Sequence, residues 1–287
     1  MSADRRGPGG FTLIELLVAM SMSSIVLMAA FMLLRNNQRY YRSQSQIVDV
    51  QQNIRAAISL LPNELRELSA AGGDIEDMSA TSITIHAPRN LGFTCRPSDV
   101  SAGYVYLRNS LLFGYRSIDP ERDYVYVFRD GDSSRSQDDY WIGAKVSATA
   151  SATCADGAAA TRLTITNADS GLGKLDSVSV GSPVRTYERV AYSLYEDGGR
   201  WWLGVSSFVS GSWTARSPVA GPLRPGDGLT FAYYDSAGSV TATRANVQQI
   251  QVTVRGRSSQ IVQIRGSRSN NTYYEDSLST RVFLRNN

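Results

Sequence analysis

The sequence predicts an α+β protein in which one long N-terminal helix packs on a β-rich C-terminal domain. Three observations predict it. Residues 11–34 form an apolar run broken by one charge, Glu15. Apolar residues then recur every three or four positions from Ile47 to Leu68, the spacing of an amphipathic helix. From Thr81 onward that period disappears, and short β-branched and aromatic runs alternate with turn residues.

Residues 1–10 are a short polar leader carrying Arg5 and Arg6. The 24 residues that follow would span roughly 36 Å as a helix, enough to cross a bilayer. A secretory signal has a shorter apolar core with its cleavage site after it. Here the only processing signal, Gly9-Gly10, precedes the run, so cleavage would leave the hydrophobic helix in place. A carboxylate inside such a span costs about 2.5–3.5 kcal/mol, so Glu15 calls for a partner.

No Gly or Pro interrupts the chain between Leu34 and Pro62, so the helix is expected to continue. Over residues 35–73 its buried stripe is Ile47, Val50, Ile54, Ile58, Leu61, Leu65 and Leu68. Gln52, Arg55, Ser59, Asn63 and Glu67 lie opposite. Pro62 predicts a kink or a break, with both pieces against one core because the stripe stays in phase across it. Ala70-Ala71-Gly72-Gly73 supplies the stop.

In the β-rich part, residues 74–287, expected strands are 82–87, 103–107, 111–116, 124–129, 140–146, 162–166, 184–195, 200–208, 229–234, 247–255, 260–264 and 280–284. Glu196-Asp197-Gly198-Gly199 reads as a hairpin turn, and so does Asp235-Ser236-Ala237-Gly238. Residues 210–227, with Pro218, Pro222 and Pro225, read as a long loop.

Gly10-Phe11-Thr12-Leu13-Ile14-Glu15-Leu16, behind a basic leader and ahead of an apolar helix, resembles the processing and methylation motif of type IV prepilins and type II secretion pseudopilins. The resemblance implies a pilin-like fold. It implies that prepilin peptidase cuts between Gly10 and Phe11, that the new Phe11 amine is methylated, and that Glu15 pairs with the Phe11 amine of a neighbouring subunit. Two opposite charges in lipid are each unfavourable alone and less so together, which would fix an axial stagger. Tyr192-Ser193-Leu194-Tyr195, residues 228–235 and the closing Arg281-Val282-Phe283-Leu284-Arg285-Asn286 look like minor pilins of the PilW type and the related GspJ pseudopilins. The helix pattern Ala56-Ala57-Ile58-Ser59-Leu60-Leu61 with Glu64-Leu65-Arg66 is similar too. Chain length favours the PilW side. Major pilins often carry a proline in the apolar half of the helix; none stands here, at Met32 or elsewhere.

The function implied is that of a minor pilin, a structural subunit of a type IV pilus that joins a priming or tip complex. The expected partners are prepilin peptidase, other minor and major pilins, and the inner membrane. The chain is expected to pass the bacterial inner membrane once, with its C-terminal domain periplasmic, before entering a pilus or pseudopilus. Arg5 and Arg6 support a cytoplasmic N-terminus, whereas Arg35, Arg39 and Arg42 oppose it by simple counting. Long domains translocate regardless of such charge, and the motif decides. In an exported domain Cys95 and Cys154 pair, closing a loop of roughly 60 residues that stabilises by about 4 kcal/mol. The alternative is two buried thiols.

Composition narrows other chemistry. One histidine and two cysteines exclude a Cys/His zinc cluster and disfavour a histidine-dependent triad. There is no phosphate-binding loop and no nucleophile elbow, so neither an enzyme nor a cofactor is expected. His86, in an expected strand, reads as structural. Asp130, Asp132, Ser134 and Asp138 have the spacing of a calcium loop, but Arg135 stands where its turn needs Gly and Trp141 where the bidentate Glu belongs. Two alternative functions remain: a GspJ-like pseudopilin, or a tip subunit that binds DNA or a surface. For DNA, Arg244, Arg255, Arg257, Arg265 and Arg268 would form the basic face; for a surface ligand, Trp201, Trp202 and Trp213 are the aromatic candidates.

Overall fold

The computed structural model describes residues 11–131, 139–169, 171–262 and 272–285. Helix α1 runs Leu13–Arg66. Among the described residues fourteen strands follow: β1 (Ile75–Met78), β2 (Ser82–Phe93), β3 (Tyr104–Arg108), β4 (Phe113–Gly114), β5 (Asp123–Arg129), β6 (Tyr140–Thr153), β7 (Ala159–Thr166), β8 (Pro183–Asp197), β9 (Arg200–Val209), β10 (Ser212–Trp213), β11 (Ser217–Leu223), β12 (Leu229–Tyr234), β13 (Gln249–Val262) and β14 (Thr272–Phe283). The architecture is the expected one, a long helix and a large antiparallel sheet. The chain divides into two compact units.

The first unit is Met1–Asp49 with Ser258–Tyr274. Every residue from 11 to 42 is exposed. The most apolar 18-residue window there has a mean hydropathy of 2.3, so the helix is long and apolar enough to cross a membrane. Nearer the strands, the Ser259 N–H donates to Gln46 Oε1 at 2.9 Å, and the Tyr274 N–H donates to Ser258 Oγ at 3.0 Å.

The second unit is Val50–Arg257 with Glu275–Asn287. Here α1 changes character. Val50, Ile54, Leu61, Leu65 and Leu68 are buried as the period requires, while Ile58 is only half-buried. Ala57, outside the expected stripe, is fully buried at its centre. On the sheet, Gly256 of β13 lets the helix lie close: a Cβ at Gly256 would come within 2.9 Å of Val50 and Ile54 side-chain atoms.

The sheet is organised on β8, whose one face buries Val184, Thr186, Val190 and Tyr192. Along one edge β8 pairs with β2 from Pro183 to Ser193; along the other it pairs with β5 and then β9. From β5 the ladder continues through β6 and β7 to β3, and the Thr94–Leu107 bridge brings β3 back beside the end of β2. The enclosed core holds Val105, Leu107, Val125, Val127, Ile142 and Leu163.

Several expectations change. α1 continues through Pro62 without a break, and its helical hydrogen bonding ends at Arg66 rather than at residues 70–73. The turn is closed by Asp74, whose carboxylate accepts the Ser69 N–H at 2.8 Å, with Gly73 at φ +84°. Residues 210–227 are not a loop but contain β10 and β11. Pro218 and Pro222 cannot donate to the ladder, and the register against β9 shifts between Pro218 and Ala220 and again before Leu223. The strands expected at 247–255 and 260–264 are one, β13, and most of β14 went unread. The expected strand at 111–116 shrinks to the two residues of β4.

Candidate functional site

The start of α1 is a reciprocal cap. Thr12 occupies the position before the first helical residue, and Glu15 lies in the first turn. The Glu15 N–H donates to Thr12 Oγ1 at 3.3 Å, and Glu15 Oε2 accepts the Thr12 N–H at 2.9 Å. This Thr-x-x-Glu box satisfies orphan amides at the helix start. The Thr12 hydroxyl also donates to Oε2, at 3.0 Å. All three contacts therefore leave Oε1 unused among the described residues. Phe11 is 88% exposed. Gly10 lies outside the described residues.

Cys95 and Cys154 are joined in a disulfide across a sequence separation of 59. It ties the segment after β2 to the β6–β7 turn and packs with Tyr106 and Ala160.

His86 sits in a layer of rings on the sheet face opposite Ile83 and Ile85. It stacks on Tyr187 at 4.4 Å between centroids, and Tyr187 stacks on Tyr126 at 4.5 Å. His86 Nδ1 lies 2.9 Å from the Tyr126 hydroxyl, and Nε2 lies 3.6 Å from Glu76. Burial pushes the imidazole down to about 4, against the pull of Glu76, so the ring is neutral near pH 7. Arg189 forks onto Glu76 with its Nε at 2.8 Å, which holds that carboxyl below its usual range. Two guanidiniums extend the layer, Arg185 over Tyr126 and Trp141, and Arg189 over Phe208 and Trp213.

On the helix side, charged groups join α1 to the sheet. Arg89 reaches Glu64 of α1 at 3.1 Å and Glu188 of β8 at 3.1 Å. Asp123, fully buried, faces Glu188 across the β5–β8 ladder, and Arg116 grips it through both Nη atoms. Burial raises Glu188, but Ser207, Arg89 and Arg116 together outweigh it and hold the carboxyl low. Buried charge of this kind persists only where it is paired. Beside this network, at the end of α1, lies a groove of about 1060 Å³.

The other candidates are placed as follows. Trp201 and Trp202 are half-buried in β9; Trp213 is exposed but lies against Phe208 and Arg189. Arg255 is tied to Asp227 O, Arg257 lies 3.9 Å from Glu275, and Arg244 donates to Glu76 O. Arg265 and Arg268 lie outside the described residues, as do Asp132, Ser134 and Asp138 of the acidic loop. Among the described residues no group of three or more His, Cys, Asp or Glu is placed to hold a metal.

Sequence reasoning missed the buried ion network, the ring layer and the groove. A partial signal existed: tyrosines and arginines alternate at Tyr124/Tyr126 and at Arg185/Tyr187/Arg189, period two on a strand, which puts them on one face. Which strands lie adjacent was not in that pattern.

Comparison with curated proteins and with solved structures finds no match. Residues 5–31 match the family described as the Prokaryotic N-terminal methylation motif, so the chain opens on the prepilin-type signal of type IV pilin-like and pseudopilin proteins.

Proposed function

We propose that this chain is a minor pilin of the PilW type, a non-catalytic filament subunit held in the inner membrane until it is assembled. Residues 1–10 are the leader, cut between Gly10 and Phe11 by prepilin peptidase; the Phe11 amine is then methylated. Residues 11–34 form the membrane span and later the filament core, residues 35–73 the amphipathic continuation, and residues 74–287 a periplasmic head.

One observation carries this reading. The methylation motif at 5–31 runs into helix α1, whose residues 13–34 are all exposed in the single chain. A surface that large and apolar needs lipid or neighbouring helices around it. Glu15 supplies the directional element. Its Oε2 serves the cap of its own helix, and Oε1 is the acceptor for the neighbour's Phe11 amine. Stacking in one stagger follows, because only there is each carboxylate neutralised.

The test is incorporation of Glu15→Ala and Glu15→Gln variants into filaments. Both are expected to be processed and to remain in the membrane, with incorporation falling at least roughly tenfold, the loss of a charged pair in a low-dielectric setting. Incorporation at the normal level would contradict the role given to Glu15. The motif serves type II secretion pseudopilins equally well. Loss of protein export on deletion, with pili intact, would favour a GspJ-like subunit instead.

A further inference from the structure

We propose that the groove at the end of α1 is a docking cleft for an extended, acidic segment of a different filament subunit; the identity of this partner rests on the filament reading above. The groove's volume, about 1060 Å³, lies at the upper limit of small-molecule sites and suits several residues of chain. Its walls bring exposed apolar side chains together: Phe113 is 57% and Tyr115 86% exposed, with Leu91 and Trp141 beside them.

The wall at β4 is an open strand edge. Among the described strands β4 pairs only with β2, through Asn90↔Gly114 and Leu91↔Phe113. Gly114 fixes it there. The Asn90 side chain lies across the glycine so closely that a Cβ would fall 1.7 Å from Asn90 Oδ1, and Asn90 donates to Thr186 at 3.0 Å. β4 is thus anchored on one side and offers its other backbone edge, the arrangement by which sheets accept an added strand.

Charge selects the occupant. The lining carries four arginines, Arg66, Arg89, Arg185 and Arg285; Arg89 is tied to Glu188 as well as to Glu64, and Arg185 to Asp74, so among the described residues the uncompensated cation of the lining is Arg66. Both glutamates are already held, Glu64 by Arg89 and Glu67 by Arg285. The two carboxylates and the strand edge disfavour a polyphosphate chain. A polypeptide with carboxylates set among apolar side chains satisfies every wall.

The experiment places a photo-crosslinking residue at Tyr115 of the full chain in cells, with matching probes at Val18 on the apolar helix and at exposed Val240. The expected result is a Tyr115 adduct with another pilin-like subunit, its crosslinked peptide carrying acidic and apolar residues. Arg66→Glu and Phe113→Ser are each expected to lower its yield roughly tenfold with unchanged melting, since one reverses charge and the other removes apolar contact. The inference is overturned if Tyr115 gives no adduct while Val18 does, or if Val240 gives the same adduct in equal yield. An adduct with a second copy of this chain, lipid or nucleic acid overturns it, as does a yield that neither variant changes. Silence at both Val18 and Tyr115 sinks the filament reading as well.

Discussion

Residues 13–34 and 50–66 belong to one helix and follow opposite rules. The first stretch is apolar all round and exposed throughout; the second is apolar on one stripe and buries Val50, Ile54, Ala57, Leu61 and Leu65. A helix that is hydrophobic on every face has no preferred rotation, and lipid or neighbouring helices suit it. A striped helix has one partner face, and here that partner is its own sheet. The first stretch is thus specified by composition and the second by spacing. Substitutions should therefore act differently in the two.

The largest contrast is expected from Leu61→Ala against Leu27→Ala. The first empties a fully buried site and should lower head stability by about 2–5 kcal/mol. The second should leave head melting unchanged, because Leu27 is exposed. Denaturant unfolding followed by tryptophan fluorescence checks both, since every tryptophan lies in the head. Next comes the disulfide. Cys95→Ser with Cys154→Ser should remove about 4 kcal/mol from the head by the loop-entropy estimate, while membrane insertion of the apolar helix is unaltered.

Acid should also act on the head, through His86. The unfolded ring takes up its proton near pH 6.5 and the folded ring only near 4, so the unfolded chain binds more protons between those values. Stability is then full above pH 6.5 and falls by on the order of 3 kcal/mol as pH drops toward 4. Glu76 and Glu188, both held low, add to the loss below their ordinary range. Asp74, raised by burial against the pull of Arg185, works the other way: its contribution is present at low pH and is lost as pH rises. Unfolding midpoints measured across this range should rise with pH, and His86→Gln should flatten the slope between 4 and 6.5.

The smallest effect is expected at the other end of α1. Thr12→Val deletes one half of the reciprocal cap, worth about 1 kcal/mol locally. Hydrogen exchange should quicken at the first helical amides, with head melting unchanged.

How much of this was legible follows the same division. The apolar run needed only composition, and the stripe from Val50 to Leu68 only periodicity. Ala57 escaped because alanine is a weak hydrophobic signal, although it is fully buried at the centre of the stripe. β11 was hidden by its prolines, whose missing N–H groups are absorbed by register shifts against β9. Most of β14 was hidden because its residues are largely exposed and include Glu275 and Asp276, leaving little alternation to read. Glu15 stood out at once as a charge in an apolar run. Its reciprocal partner Thr12 was visible as Thr-x-x-Glu spacing but was read as part of a processing signal. The groove depends on which strands meet β2 and how far α1 extends, and no local pattern encodes either.

On the proposed function, the helix from Phe11 onward is the mature start of a filament subunit. Intact mass measurement of the native protein tests it most directly. The expected mass is that of a chain beginning at Phe11 with one added methyl group on its amine. A functional protein that retains Met1 to Gly10 would contradict it.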